Sequence, residues 1–225
     1  MLIPPKKTSQ PFSSTRIAGP LVEPVEAAEV RDYLRLPDTG QDAQLTRFIL
    51  ESREYIEAKS GLAGINQTWK LGLDHWFSKH EPWWDGEYEG HINTIHGHSA
   101  NGVITLPVYP LVSVDSITVY DTGRVATSVP VAETFIIDTY SRPGRMSLDF
   151  GKVWPIATQT IKAIEINYTA GFGADADAVP ELFKAGIVKM AAYLTDNRFS
   201  CDLSEAYTKS GARSSIDLLR GGTLK

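Results

Sequence analysis

Apolar positions along the chain recur with two different periods, and the change from one to the other divides it. Glu23-Pro24-Val25-Glu26 opens a short helix in which Ala27, Val30 and Leu34 share a face, closed by Pro37. After the turn Asp38-Thr39-Gly40, Leu45, Phe48, Ile49, Ser52 and Ile56 fall at helical spacing, predicting a second helix over about 41–60 with Gly61 as its stop. A third helix over about 180–198 begins at Pro180, whose missing N–H would have no helical partner there anyway. In it Phe183, Gly186, Ile187, Met190, Ala191 and Leu194 recur at steps of three and four, with Glu181, Lys184, Lys189 and Asp196 mostly on the other side.

Between helices two and three the period falls to two. Trp69, Leu71 and Leu73 alternate with Lys70, Gly72 and Asp74, and further strands are predicted at 103–106, 112–120, 134–138, 146–150 and 161–168. Asp121-Thr122-Gly123 and Arg142-Pro143-Gly144 read as tight turns whose glycines supply positive φ. Such local spacing predicts an antiparallel meander or small barrel. The fold class expected is therefore α+β: a three-helix scaffold with a β-rich insertion over about 66–170, together a domain at 23–199.

Two tails and one loop lack periodicity. Residues 1–22 contain four prolines and many Ser and Thr, and are expected to form an extended arm able to order on a partner. Residues 200–225 read as a weakly patterned tail in which Ile216, Leu218 and Leu219 could anchor on a neighbour. Residues 77–102 break the strand pattern as a long loop mixing aromatic, acidic and histidine residues.

Composition narrows the function classes. At 225 residues, 42% hydrophobic and 22% charged, the chain has the make-up of an ordinary globular protein. A net charge of −5 argues against a dedicated nucleic-acid binder, whose affinity comes mainly from Lys and Arg neutralising phosphates. The single cysteine, Cys201, leaves no intramolecular disulfide framework. No apolar run approaches the ~20 residues of a membrane span, and the N-terminal stretch lacks the apolar core of a signal peptide, so a soluble, unsecreted protein is expected.

Candidate chemistry is sparse. All five histidines fall between His75 and His98, and His91, His96 and His98 are candidate metal ligands, since the two imidazoles of a His-x-His pair in a strand can point to one side. The spacing matches no zinc motif: H-E-x-x-H is absent and no cysteine partners the histidines. Trp83, Trp84 and Tyr88 could stack a base or sugar ring, or could contact another subunit, which is the preferred reading. Asp175 and Asp177 lack the later Gly and Glu of a calcium loop, Gly151-Lys152 lacks the spacing of a phosphate loop, and no G-x-S-x-G occurs. No catalytic residue and no cofactor is called. The alternatives left open are a histidine-loop metal-dependent hydrolase and a carbohydrate- or nucleic-acid-binding module using the loop aromatics.

Four segments in order carry a resemblance: VEAAEVRDYLRLPDTGQDAQLTRFILESREYIEAKSG (25–61), NQTWKLGLDHW (66–76), LPVYPLVSVDSITVYD (106–121), and the run with WP at 154–155, INYTAGFG at 166–173 and VPELFKAGIVKMAAYLTDNR at 179–198. Together they resemble the head–tail connector (adaptor) family of tailed bacteriophages, also found in prophages and gene transfer agents. The resemblance implies a non-enzymatic virion protein, made in the bacterial host cytoplasm and located at the head–tail junction. Members self-associate into a ring, typically a dodecamer, below the portal protein. The ring extends the channel through which DNA passes without sequence-specific binding, and docks a head-completion, stopper or tail protein; no membrane is involved. By the same resemblance portal contact falls to residues 200–225. The loop at 77–102 and the N-terminal arm depart from the family pattern, so no role carries over to them.

Overall fold

The structure, a computed structural model, describes residues 12–76, 102–197 and 202–220. In chain order its elements are β1 (Phe12–Ala18), α1 (Ala27–Leu34), α2 (Asp42–Ser60), β2 (Gln67–Leu73), β3 (Val103–Thr105), β4 (Leu111–Tyr120), β5 (Ala126–Val129), the single turn α3 (Val131–Thr134), β6 (Phe135–Asp138), β7 (Arg145–Leu148), β8 (Ile164–Ala170), α4 (Glu181–Asp196), α5 (Leu203–Lys209) and α6 (Ala212–Leu219). They form two compact units: a β unit from the chain up to Ala18, Thr68–Pro107 and Leu111–Thr169, and a helical unit from Gly19–Gln67, Val108–Pro110 and Ala170–Lys225. The fold is α+β, as expected.

In the helical unit, α1 starts with a capping box in which the Glu29 carboxylate accepts from the Glu26 N–H at 2.9 Å, and it ends on Arg35 in the left-handed region at φ 54°. Arg31 donates to Asp42 at 2.6 Å, tying α1 to the start of α2. Leu45, Ile49 and Ile56 of α2 are buried with Phe183, Ile187 and Met190 of α4 in one core, at the helical spacing read from the sequence. Gly171, at φ 154°, is required there: a Cβ would lie 2.6 Å from the backbone N and Cα of Asn66.

A buried ionic cluster lies in the same unit. Arg53 is 2% exposed and donates to Glu57 at 2.9 Å and to Glu23 at 2.7 and 3.2 Å. The other Glu57 oxygen accepts from the Gly64 N–H at 3.1 Å and from Gln67 Nε2 at 2.7 Å. Burial lifts the Glu57 carboxyl above the usual carboxylate range, and Arg53 with these two donors only partly offsets it.

In the β unit a five-stranded sheet has the order β1-β2-β8-β4-β5, and a three-stranded sheet the order β3-β7-β6. Strand β8 shows the clean alternation of a one-sided sheet: Ile164, Ile166 and Tyr168 are buried, while Glu165, Asn167 and Thr169 are half-buried. Ile104 pairs with Met146 across β3 and β7, both buried. Gly144 is fixed by packing, since a Cβ there would overlap the Leu111 side chain.

The differences from the expected layout have local causes. Residues 12–18, expected to be part of an unpacked arm, form strand β1, antiparallel to β2 with Thr15 opposite Lys70; backbone hydrogen bonding holds it, which leaves no hydrophobic period to read. Residues 203–219, expected to be a tail, form α5 and α6. Asp202 caps α5 by accepting from the Glu205 N–H at 2.6 Å, and Ala212, Ile216 and Leu219 give α6 its inner stripe. The larger sheet is no meander, because β8 lies between β2 and β4. Nor do Gly123 and Gly144 supply positive φ at their turns: Arg124 takes the left-handed conformation at φ 62°, and the Arg142–Pro143 peptide is cis.

Arg53→Met should lower the unfolding free energy by about 3–5 kcal/mol at neutral pH in urea denaturation, because it leaves Glu57 a buried carboxylate without its cationic partner. A carboxyl with a raised folded pKa favours the folded state at low pH and loses that contribution as pH rises. The gap between variant and wild type should therefore narrow as the pH is lowered into the mildly acidic range, where Glu57 protonates.

Candidate interaction surfaces

The C-terminal helices are built into the helical unit. Ile216 is fully buried and lies against Gly186 of α4, where a Cβ would sit 3.1 Å from its Cδ1. Leu219 is partly buried against the same core, whereas Ile216 is wholly taken up by it and leaves no surface for an anchor. Leu218 points outward and is exposed. Lys189 on α4 donates to Ser215 Oγ at 3.2 Å, and the Arg220 guanidinium bonds the Tyr109 hydroxyl, which pushes its pKa up. The remaining predicted residues, Trp83, Trp84, Tyr88, His91, His96 and His98, lie outside the described residues.

The half-buried face of the five-stranded sheet is polar, and most of its side chains pair with one another, although Asn167 Oδ1 is buried without a hydrogen-bond partner. Glu165 Oε2 is 3.0 Å from Lys70 Nζ and accepts from the Tyr120 hydroxyl at 3.1 Å. Burial, and then that hydrogen bond, raise the Tyr120 pKa. Asn167 Nδ2 donates to Ser116 at 2.9 Å, and Thr169 donates to Asp115 at 2.8 Å. Lys70, Tyr120, Ser116 and Asp115 are thus paired across the strands with residues of β8.

A shallow depression of about 290 Å³ lies beside it, lined by Thr122, Arg124, Thr158, Gln159, Thr160 and Ile161. Its single guanidinium and its hydroxyls provide no acid–base pair. Among the described residues no three His, Cys, Asp or Glu side chains are placed to share a metal ion. No described helix is long and apolar enough to cross a membrane.

The stretch after β7 is different in kind. Asp149 N donates to Thr134 O at 2.9 Å, and Lys152 N donates to Asp149 O at 3.1 Å around Gly151 in the left-handed region at φ 76°. Trp154 then turns inward, with its ring 4.9 Å from that of Trp76 and 5.6 Å from that of Phe135. Trp76 Nε1 donates to Pro155 O at 2.6 Å, and the N–H groups of Thr158 and Gln159 both reach Tyr120 O. A stretch without regular secondary structure is thereby fixed at both ends and in its middle. No hydrophobic period marks it in the sequence; the available signal was the tryptophan beside a proline.

The β6–β7 turn is a second rigid projection and carries the exposed Tyr140. Asp138 accepts from the N–H groups of Tyr140 and Ser141, from Ser141 Oγ at 2.6 Å and from Arg145 Nε at 2.8 Å. Hydrogen bonds from Ser141 and Arg145 hold its carboxyl well below the usual carboxylate range.

Three solved structures share this fold. A chain of the "Neck of empty GTA particle computed with C6 symmetry" has a TM-score of 0.66 and 20% identity, covering 88% of this chain and 94% of that one. A chain of the "Virion of native gene transfer agent (GTA) particle" has a TM-score of 0.65 and 20% identity, covering 87% and 93%. A chain of the "Neck of native GTA particle computed with C12 symmetry" has a TM-score of 0.64 and 20% identity, covering 88% and 94%. The match runs over both units and nearly the whole of each relative, so the two chains share one architecture. No protein-family model and no curated protein matches the sequence.

Asp138→Asn should destabilise the β6–β7 turn at neutral pH. A depressed carboxyl contributes stability that is fully present above its unfolded pKa and is lost as pH falls through the folded value. The difference in melting temperature from wild type should therefore shrink below about pH 4, the ordinary carboxylate range. NMR titration should place the Asp138 carboxyl below the ordinary carboxylate range.

Proposed function

We propose that this chain is a structural subunit of the neck of a tailed phage or phage-like particle, without catalytic activity. It would act as the head–tail connector (adaptor) that forms a ring below the portal. The observation that carries this reading is the likeness over 87–88% of the chain to chains of gene transfer agent particles, two of them from necks. The order of the four sequence segments supports it independently.

The symmetries of the same relatives support a ring number of twelve. One neck was computed with C12 symmetry and another with C6, and sixfold symmetry is contained within twelvefold; twelve copies is the reading that accommodates both. The ring would extend the DNA channel, with the net charge of −5 disfavouring tight phosphate contacts and so letting DNA pass. Portal contact is proposed for residues 200–225, where α5 and α6 are packed and Leu218 is exposed, and the ring's other face would receive the next head-completion or tail component.

Particles purified from cells producing an epitope-tagged chain should contain it in about twelve copies by quantitative mass spectrometry. Electron cryomicroscopy of the vertex should place it between portal and tail. Particles lacking the chain, or carrying it away from the portal vertex, would overturn the reading.

A further inference from the structure

In the pinned stretch after β7, three apolar side chains point into solvent: Phe150 is 99% exposed, Val153 82% and Ile156 82%. They are not a floppy loop's incidental residues. Trp154, between them, is held in the cluster with Trp76 and Phe135, and the Pro155 carbonyl is held by Trp76 Nε1. Inward anchoring of this kind fixes the outward direction of the neighbours, so the ordering that binding would otherwise require is already made in the folded chain.

We propose that the segment 149–156 is one half of the contact between adjacent copies of this chain, with Phe150, Val153 and Ile156 seating on the next copy. The proposal rests on the ring reading given above. In a ring every contact is heterologous, joining one patch to a different patch on the neighbour, and each copy both gives and receives.

Area favours that occupant. The three side chains offer roughly 400 Å² of apolar surface. That is about half of the ~800 Å² each partner brings to a standard stable interface. A lone pair of copies joined through this segment is therefore weak, while closure of a ring makes the contact at every subunit boundary. Its chemistry also selects against nucleic acid, because Lys152 is the one cation within 149–156 and phosphate contact needs several.

The test places a photocrosslinking benzoylphenylalanine at position 150 of the full-length tagged chain and illuminates assembled particles. A product at twice the 24.8 kDa chain mass, carrying both tags when two differently tagged copies are co-produced, is the expected result. A product with another particle protein, or none although the chain is present in the particles, would overturn this inference and leave the neck reading standing. Absence of the chain from particles would remove both. As a second measurement, the variant Phe150→Ser/Val153→Ser/Ile156→Ser should melt within a few degrees of wild type, since these side chains are not in the core, yet enter particles at least ~10-fold less. Incorporation at the wild-type level would overturn the proposal.

Discussion

Glu57 is held by more groups than any other carboxylate described in the helical unit, and the geometry around it depends on all of them. One oxygen faces Arg53, and the other accepts from the Gly64 N–H and from Gln67 Nε2. The first partner is on the same helix, but the other two belong to the chain that leaves α2 and becomes β2. A buried carboxylate in such a place costs several kcal/mol of desolvation, and hydrophobic replacements of similar volume are often as stable. Its effect is therefore chiefly geometric: it sets where the chain goes after Gly61. Gly171 adds a second constraint on the same segment, because the backbone at Asn66 approaches too closely for any side chain.

That arrangement explains which parts of the fold were legible in the sequence. Leu45, Ile49, Ile56, Phe183, Ile187 and Met190 are buried by a hydrophobic drive that leaves its period in the sequence, so the two long helices α2 and α4 are legible there to within a few residues. Strand β8 announced itself in the same way. Strand β1 did not, because it is held by backbone pairing with β2, and Ser13, Ser14 and Thr15 carry no stripe. Helices α5 and α6 span only seven and eight residues and lack the flanking prolines, Pro24 and Pro37, that bracket the equally short α1. Their signal was the Asp202–Glu205 cap, which is chemical where the others were periodic.

Interaction surfaces were less legible for a related reason. In the sequence Trp83 and Trp84 stand out as aromatics within a polar loop, and Ile216 and Leu219 as apolar residues in a weakly patterned tail. Apolar character alone does not tell a core residue from a docking residue; Ile216 is in the core and Leu218 two positions later is outside it. Phe150, Val153 and Ile156 drew no notice, since in one dimension they read as a strand end and its following loop. Only the inward turn of Trp154 shows that their exposure is imposed by the fold.

The chain thus uses two opposite solutions for groups that are costly where they sit. Arg53 and Glu57 are charges placed in a core, and together with Glu23, the Gly64 N–H and Gln67 they fix the path of the backbone there. Phe150, Val153 and Ile156 are apolar groups placed in solvent, and nothing within the described residues covers them to a comparable degree. The ionic cluster is closed and needs no partner. The apolar segment is open, and the backbone bonds at Asp149, Pro155 and Thr158 prevent it from collapsing onto its own chain to relieve the exposure. Seating of these side chains on a neighbouring copy, as proposed, would remove that cost, because the pinned backbone already holds them in the direction from which a second surface would approach.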